Sequence, residues 1–240
     1  MTVTRPQIFS ISLAETTGIL VCSYLLIISW YPGHFFTLLD MGIKTAIFFL
    51  ACVVLGPCLS ALIYKKDKRQ LVNDLSTVYT LKLVVIFLAL FLFYSQRPQL
   101  LVFAVDRLVV VQAHHLPKDD IPPNVASLIA NADEPPLIAA RLFSADNLEL
   151  MMKVMLGAPD IEFRPNLYEK IEFQKAKMKQ SSAEWLTSER RAWLLANNSW
   201  TDESESLLPL PLAYGNERYG VAILDLRTET MNNVVDVSPW

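Results

Sequence analysis

Apolar residues concentrate in three long runs at the start of the chain, and shorter apolar segments separated by turn-forming residues follow. The runs cover residues 8–30, 43–64 and 75–94. Because an α-helix rises ~1.5 Å per residue, about 20 apolar residues cross the ~30 Å hydrocarbon core of a bilayer. The pattern therefore predicts three transmembrane helices within a membrane domain of residues 1–96.

A cleaved signal peptide is the alternative interpretation of the first run. Signal peptides have a shorter apolar core, which a small-residue cleavage site follows. Here the tetrapeptide Trp30-Tyr31-Pro32-Gly33 follows instead. Trp and Tyr suit the headgroup layer of a membrane, and Pro-Gly suits a turn. We therefore expect this run to be a retained span.

The loop between the second and third runs is strongly basic, with the sequence Lys65-Lys66-Asp67-Lys68-Arg69. Lys and Arg residues beside membrane spans are biased to stay in the cytoplasm. The loop therefore predicts a cytoplasmic N-terminus, three crossings and a C-terminal domain on the opposite side of the membrane.

Two ionisable residues, Glu15 and Lys82, lie well inside the apolar runs. At ~1.5 Å per residue, both are roughly 10 Å deep from the predicted cytoplasmic side. An isolated charge at that depth costs several kcal/mol, so such residues usually pair or serve a function. We expect Glu15 and Lys82 to meet between the first and third helices. The pair is either structural, or one member receives a polar group from a partner's transmembrane helix.

The second run contains Gly56-Pro57 near its middle. Proline kinks a helix, and glycine allows a neighbouring helix to approach closely. The dipeptide predicts one or both of these effects.

Residues 97–240 predict a small α+β domain outside the cytoplasm. Strands are expected, from their β-branched and aromatic residues, at 100–112, 137–143, 219–226 and 234–237, the last two as a hairpin. In the first strand, Asp106 and Arg107 would point to opposite faces.

Three helices are expected in the same domain. They cover residues 122–132, residues 144–156 after the cap Ser144, and a segment through Ala196 that begins at a capping box of Ser181 and Glu184. The second has a stripe of methionines that we interpret as core.

Composition adds limits on function. The mean hydropathy is +0.32 and only 19% of residues are charged, with the cations in excess before residue 97 and the anions after it. Net acidity argues against nucleic acid as a partner. All three cysteines fall in the apolar runs, so the outer domain has no disulfide framework.

The motifs of common enzymes are missing from the sequence. It contains no Gly-rich phosphate loop, HExxH or CxxC, and His114-His115 has no third metal ligand at a recognisable spacing. The residues assign no catalytic, cofactor-binding or metal-binding site. A non-enzymatic role is favoured, and a membrane-anchored enzyme acting on an envelope substrate is the alternative, because carboxylates are plentiful.

Several segments, in register, resemble the type IV pilin accessory proteins (the TfpX/TfpZ group) of Gram-negative bacteria. The matching positions are Trp30-Tyr31-Pro32-Gly33, Leu55-Gly56-Pro57, Asp74-Leu75, Arg97-Pro98, Val102-Phe103 and Asp106-Arg107. Weaker matches are Arg164-Pro165, Leu167-Tyr168 and Leu210-Pro211-Leu212. The resemblance covers most of the chain and is specific in its first 110 residues.

The chain departs from that family pattern at a few positions. These are Cys52 for a common acid, Lys82 for a glutamine, Leu88-Ala89 for Tyr-Gly, His34 for a proline and Leu108 for an aromatic residue. Cys52, Lys82 and Leu88-Ala89 lie inside the apolar runs, so these departures alter any polar site that the family has inside the membrane.

The resemblance implies an inner-membrane protein with a periplasmic domain. Its role would be to assist the stability, assembly or surface display of a cognate pilin without being a pilus subunit. Its partners would be that pilin and the lipid bilayer. A scaffold or sensor in another envelope machine is a further alternative. The sequence specifies neither the oligomeric state nor the step of pilus biogenesis.

Overall fold

The structure is a computed structural model, which describes residues 5–65, 71–116, 121–141, 152, 156, 160–196, 206–214 and 218–235. The chain forms two compact units. The first comprises Met1–Pro32 and Asp40–Gln96, and the second comprises Gly33–Leu39 and Arg97–Trp240. The basic loop after Lys65 and most of the helix expected at 144–156 lie outside the described residues.

Helices and strands are numbered here in chain order. The helices are α1 (Arg5–Trp30), α2 (Phe35–Leu38), α3 (Met41–Val53), α4 (Leu59–Ile63), α5 (Leu71–Ser95), α6 (Pro123–Asn131), α7 (Lys175–Trp185) and α8 (Ser188–Ala196). The strands are β1 (Pro98–Ala104), β2 (Arg107–Gln112), β3 (Leu137–Ala140), β4 (Tyr168–Glu169), β5 (Leu207–Tyr214), β6 (Arg218–Asp225) and β7 (Thr230–Val235).

The first unit contains three helical segments that are long and apolar enough to cross a membrane. They are Pro6–Trp30, Met41–Ile63 and Leu71–Ser95, which confirms the three predicted apolar helices. Most of their large apolar side chains are exposed, as expected where the surrounding medium is itself apolar.

The middle segment is continuous but changes its winding at Val54–Cys58, a π-helical turn between α3 and α4. Pro57 lies inside this turn. A proline ring clashes with the carbonyl four residues earlier and supplies no N–H, so the wider turn accommodates it. The expected irregularity at Gly56-Pro57 is thus a local π-bulge.

The second unit is built on one mixed seven-stranded sheet in the order β4-β3-β1-β2-β5-β6-β7. The β1–β3 and β2–β5 pairs are parallel, and the other neighbours are antiparallel. Residues of β1, β2 and β3 form one core cluster with Val125 of α6. A second cluster joins Trp185 and Leu194 to Val221 and Ile223 of β6. Helices and a mixed sheet make this an α+β unit, as predicted.

The single strand expected at 100–112 is wrong, because the chain turns back within it. Val105 has a φ of 61°, and the Asp106 N–H donates to the Ala104 carbonyl at 2.8 Å. β1 and β2 therefore pair as a hairpin from Ala104–Arg107 outward. Asp106 and Arg107 lie at its turn rather than on opposite faces of one strand. No glycine or proline marks this turn, so the apolar pattern hides it.

The predicted helix end at Ala196 is confirmed, but the start expected from a capping box at Ser181 is wrong. Ser181 is buried inside α7, which ends at Trp185, and a separate helix α8 begins at Ser188. The Thr187 hydroxyl accepts from the Arg190 N–H at 3.4 Å. The N-terminal cap is therefore Thr187, six residues beyond the predicted one.

Candidate functional site

The candidate site lies within the three-helix unit and begins with a polar face of α1. Ser12, Glu15 and Thr16 are three and four residues apart, so they share one side of the helix. The Thr16 hydroxyl donates to the Ser12 carbonyl at 2.7 Å, and Thr16 is fully buried. This backbone partner satisfies the hydroxyl within its own helix.

Gly56 in the π-turn lies directly against that face. A Cβ atom added at Gly56 would be 2.7 Å from Thr16 Oγ1 and 3.2 Å from Lys82 Cδ. Only a residue without a side chain fits at these distances. The close approach anticipated for Gly56 is therefore to α1 and α5 at the same time.

Lys82 on α5 completes the group. Its Nζ donates to Glu15 Oε1 at 3.0 Å, so the structure brings together the two ionisable residues singled out in the sequence. The same Nζ lies 4.7 Å from the centroid of the Tyr79 ring, close enough for a cation–π interaction. A carboxylate and an aromatic face thus offset the desolvation of the ammonium.

The two partners differ in exposure. The Lys82 side chain is 2% exposed, whereas the Glu15 side chain is 40% exposed. Glu15 borders a cavity of about 400 Å³ that all three helices line. Most of its lining is apolar, and its polar side chains include Ser12, Ser60 and Ser76. The carboxylate therefore offers acceptor capacity in an apolar recess.

The family-motif aromatic residues lie in another part of the same unit. The Tyr31 hydroxyl is buried and donates to the Phe93 carbonyl at 2.7 Å. Trp30 packs edge-on against Tyr94, with ring centroids 5.2 Å apart. These contacts fix the end of α1 against the end of α5. Pro32 follows half-buried.

Each of the remaining motif positions has a structural explanation. Asp74 is in the first turn of α5, where an acid is favourable at the positive end of a helix dipole. Gly33, in the second unit, has a φ of 55° that favours glycine. Also in that unit, the Arg97 carbonyl accepts from the Ala113 N–H at 3.0 Å, and Pro98 pairs with Gln112. The sequence did not single out Ser12, Thr16 and Tyr79, although the first two share the helical spacing of Glu15.

The described residues include no group of three His, Cys, Asp or Glu side chains placed to hold a metal ion.

The chain combines three helices able to span a membrane with a mixed-sheet α+β unit, and this combination defines its class. No family model, no curated protein and no solved structure matches the chain.

Proposed function

We propose that this chain is a multi-pass protein of a bacterial inner membrane that binds a type IV pilin and assists its stability, assembly or surface display. The choice of partner rests on the resemblance carried by Trp30-Tyr31-Pro32-Gly33, Gly56-Pro57 and the other motif positions. The choice of binding site rests on one observation, the half-exposed Glu15 carboxylate in the wall of an apolar cavity.

Charge favours Glu15 as the contact. A carboxylate in hydrocarbon is costly unless hydrogen-bond donors meet it, and Lys82 supplies one donor. The exposed part of Glu15 has room for a second. In the pilin family, the helix to be bound is hydrophobic and carries a free amine and a glutamate near its N-terminus. The positively charged amine of that helix can donate the second hydrogen bond to the Glu15 carboxylate.

Burial argues against Lys82 as a direct contact. Lys82 lines the same cavity, but its side chain is 2% exposed and already contacts both Glu15 and the Tyr79 ring. In this proposal, Lys82 holds the Glu15 carboxylate in place by its hydrogen bond, and Glu15 meets the partner. The sequence left two alternatives for the pair, a structural role or contact with a partner. Lys82 then has the structural role, and Glu15 makes the contact.

Site-specific photo-crosslinking in cells tests the site and the partner together. A photoreactive residue in place of Val72 or Tyr79, which line the cavity, should capture pilin. Phe87 is the matched control, because it is on the same helix and exposed but does not line the cavity. Glu15→Gln should reduce capture from Val72. Equal capture from all three positions, or none in cells that make pilin, would refute the proposal.

Sidedness is the second part of the proposal, with a cytoplasmic N-terminus and a periplasmic C-terminal domain. It rests on the cluster Lys65, Lys66, Lys68 and Arg69 and the preference of such clusters for the cytoplasm. Alkaline phosphatase fused after Trp240 should be active, and the same enzyme inserted into the basic loop should be inactive. The reverse pattern would refute the proposed sidedness.

A further inference from the structure

The second unit has a small polar cleft that the proposed function does not use. Its volume is about 170 Å³, and residues of β2, β5 and β6 line it together with two 3-10 turns, Ala113–His115 and Ile161–Phe163. The side chains that carry the argument are Arg107, His115, Glu162, Phe163, Tyr214 and Arg218. They come from five separate stretches of sequence, so only the fold assembles them.

Positive charge predominates among the described residues that line the cleft. Arg107 and Arg218 supply two guanidinium groups, and Glu162 supplies one carboxyl. Burial raises the pKa of Glu162, and the Asp160 carboxylate adds to the rise, while a backbone hydrogen bond and Arg107 oppose it. The rise favours the neutral carboxylic acid, which weakens its opposition to an anion.

His115 contributes a polar atom without a partner. Its Nδ1 is buried and finds no hydrogen-bond partner among the described residues. Its ring stacks against Phe163, with centroids 4.8 Å apart. A buried polar atom without a partner is costly and uncommon in native proteins. His115 lines the cleft, so a ligand atom that hydrogen-bonds to Nδ1 would remove that cost.

Arg218 is held in a defined place beside the cleft. Its guanidinium carbon lies 5.3 Å from the centroid of the Tyr214 ring, and Tyr214 is itself buried. Stacking of this kind fixes the plane of a guanidinium group. Planar donors of this type match the oxygens of carboxylate and phosphate groups.

We infer that this cleft binds a single oxyanion group, with Arg107 and Arg218 donating to its oxygens and His115 Nδ1 within its reach. Pockets for drug-sized molecules measure roughly 300–1,000 Å³, so the cleft accepts one carboxylate or phosphate group and not a whole ligand of that size. The rest of the ligand would remain outside the cleft.

The test uses the full-length protein in detergent and two probes, inorganic phosphate and acetate, at constant ionic strength. The chain has only three histidines, so imidazole ¹⁵N resonances are few, and His115→Gln assigns the relevant one. We expect a saturable shift of the His115 resonance. A shift with phosphate alone identifies a phosphate group, one with acetate alone a carboxylate, and one with both the shared oxyanion chemistry.

Four substitutions sharpen the result. Arg107→Gln and Arg218→Gln should each weaken binding at least tenfold, because each loses a charged hydrogen bond to the anion. Glu162→Gln should tighten it by removing the only described acid of the cleft. Arg227→Gln, at an exposed turn outside the cleft, is the control and should change nothing.

The inference fails if neither probe shifts the His115 resonance of the unaltered protein. It also fails if Arg227→Gln weakens binding as much as the two cleft arginine variants do. If Arg107→Gln does not fold, Arg107→Lys keeps the charge but loses the paired donors, and weaker binding is again expected. Either failure leaves pilin crosslinking from Val72 unaffected, so this inference and the proposed function are tested separately.

Discussion

Lys82 Nζ lies 3.0 Å from Glu15 Oε1, and the lysine side chain is 2% exposed while the glutamate is 40% exposed. The pair is therefore asymmetric in exposure. Removing the acid leaves an ammonium buried in the protein, whereas removing the base leaves a carboxylate in an apolar recess. Either deletion leaves one charge without its partner.

Glu15→Leu and Lys82→Met should each lower thermal stability in detergent. Breaking a buried ion pair costs roughly 3–5 kcal/mol, because the charge that remains is left unpaired in apolar surroundings. The double variant Glu15→Leu/Lys82→Met should recover most of the loss, since no charge remains unpaired. Size-exclusion chromatography after heating measures the surviving fraction.

The reversed pair Glu15→Lys/Lys82→Glu is the complementary experiment. If it is no more stable than the worse of its two single variants, direct pairing of the two side chains is excluded.

Gly56→Ala should destabilise the three-helix unit. Its new Cβ would meet Thr16 Oγ1 at 2.7 Å, and such overpacking typically costs about 1–3 kcal/mol. Thr16→Ala in the same chain removes that oxygen and should restore part of the stability. Midpoints of thermal unfolding in detergent provide the comparison.

Gly18→Ala is the matched control for Gly56→Ala. Nothing lies within 4 Å of a Cβ at Gly18, so the change should be neutral or stabilising by up to about 1 kcal/mol. A loss at Gly18 as large as that at Gly56 would mean that close packing is not the reason for glycine at position 56.

Stability of the second unit should depend on pH through Glu162. Burial raises its folded-state pKa above the ordinary 4.5, so the folded chain holds a proton that the unfolded chain has released. The associated stability is fully present below pH 4.5 and is lost as pH rises through the folded-state pKa. Glu162→Gln should therefore unfold at a higher temperature than the parent protein at pH 7, and the gain should disappear near pH 4.

The chain supplies a close control for this measurement. The tripeptide Ile-Glu-Phe occurs twice as a 3-10 turn, at Ile161–Phe163 and at Ile171–Phe173. Glu162 is 7% exposed, whereas Glu172 is exposed. Glu172→Gln should show no comparable gain. Equal gains from both substitutions would point to net charge instead of burial.

Ser182→Ala should lower stability by removing a hydrogen bond between α7 and β5. The buried Ser182 hydroxyl donates to the Pro209 carbonyl at 2.9 Å, and an unsatisfied buried acceptor costs about 1–3 kcal/mol. Ser127→Ala removes an exposed hydroxyl that donates within its own helix and should change stability by less than about 0.5 kcal/mol. Urea unfolding monitored by tryptophan fluorescence measures both, and similar midpoints would refute the assigned role of Ser182.

The strand β5 shows why local patterns miss some elements. Pro209 and Pro211 within it argue against a strand by sequence alone. They are two residues apart, so the N–H groups that they lack would fall on one side of the strand. Among the described residues, β2 pairs with Leu212 and Ala213, beyond both prolines, and the Pro209 carbonyl accepts from the Ser182 hydroxyl. Distant residues therefore make these prolines acceptable.

The three long helices were determined by the sequence itself, because an apolar segment of that length satisfies its backbone polar groups in lipid only as a helix. The sequence also predicted that Glu15 and Lys82 meet between the first and third helices, and the structure confirms that contact. It did not determine which of them is exposed, because that depends on Gly56 and Tyr79.

Only the tertiary structure decided the hairpin turn at Val105, the approach of Thr16 to Gly56 and the cleft around His115. The approach of Thr16 to Gly56 and the cleft around His115 depend on contacts between residues far apart in the chain, and the turn at Val105 has no glycine or proline to mark it. Periodicity determines which residues share a face of one helix or strand. Burial, hydrogen-bond partners and charge environment are properties of several elements packed together, so they become readable only in the folded chain.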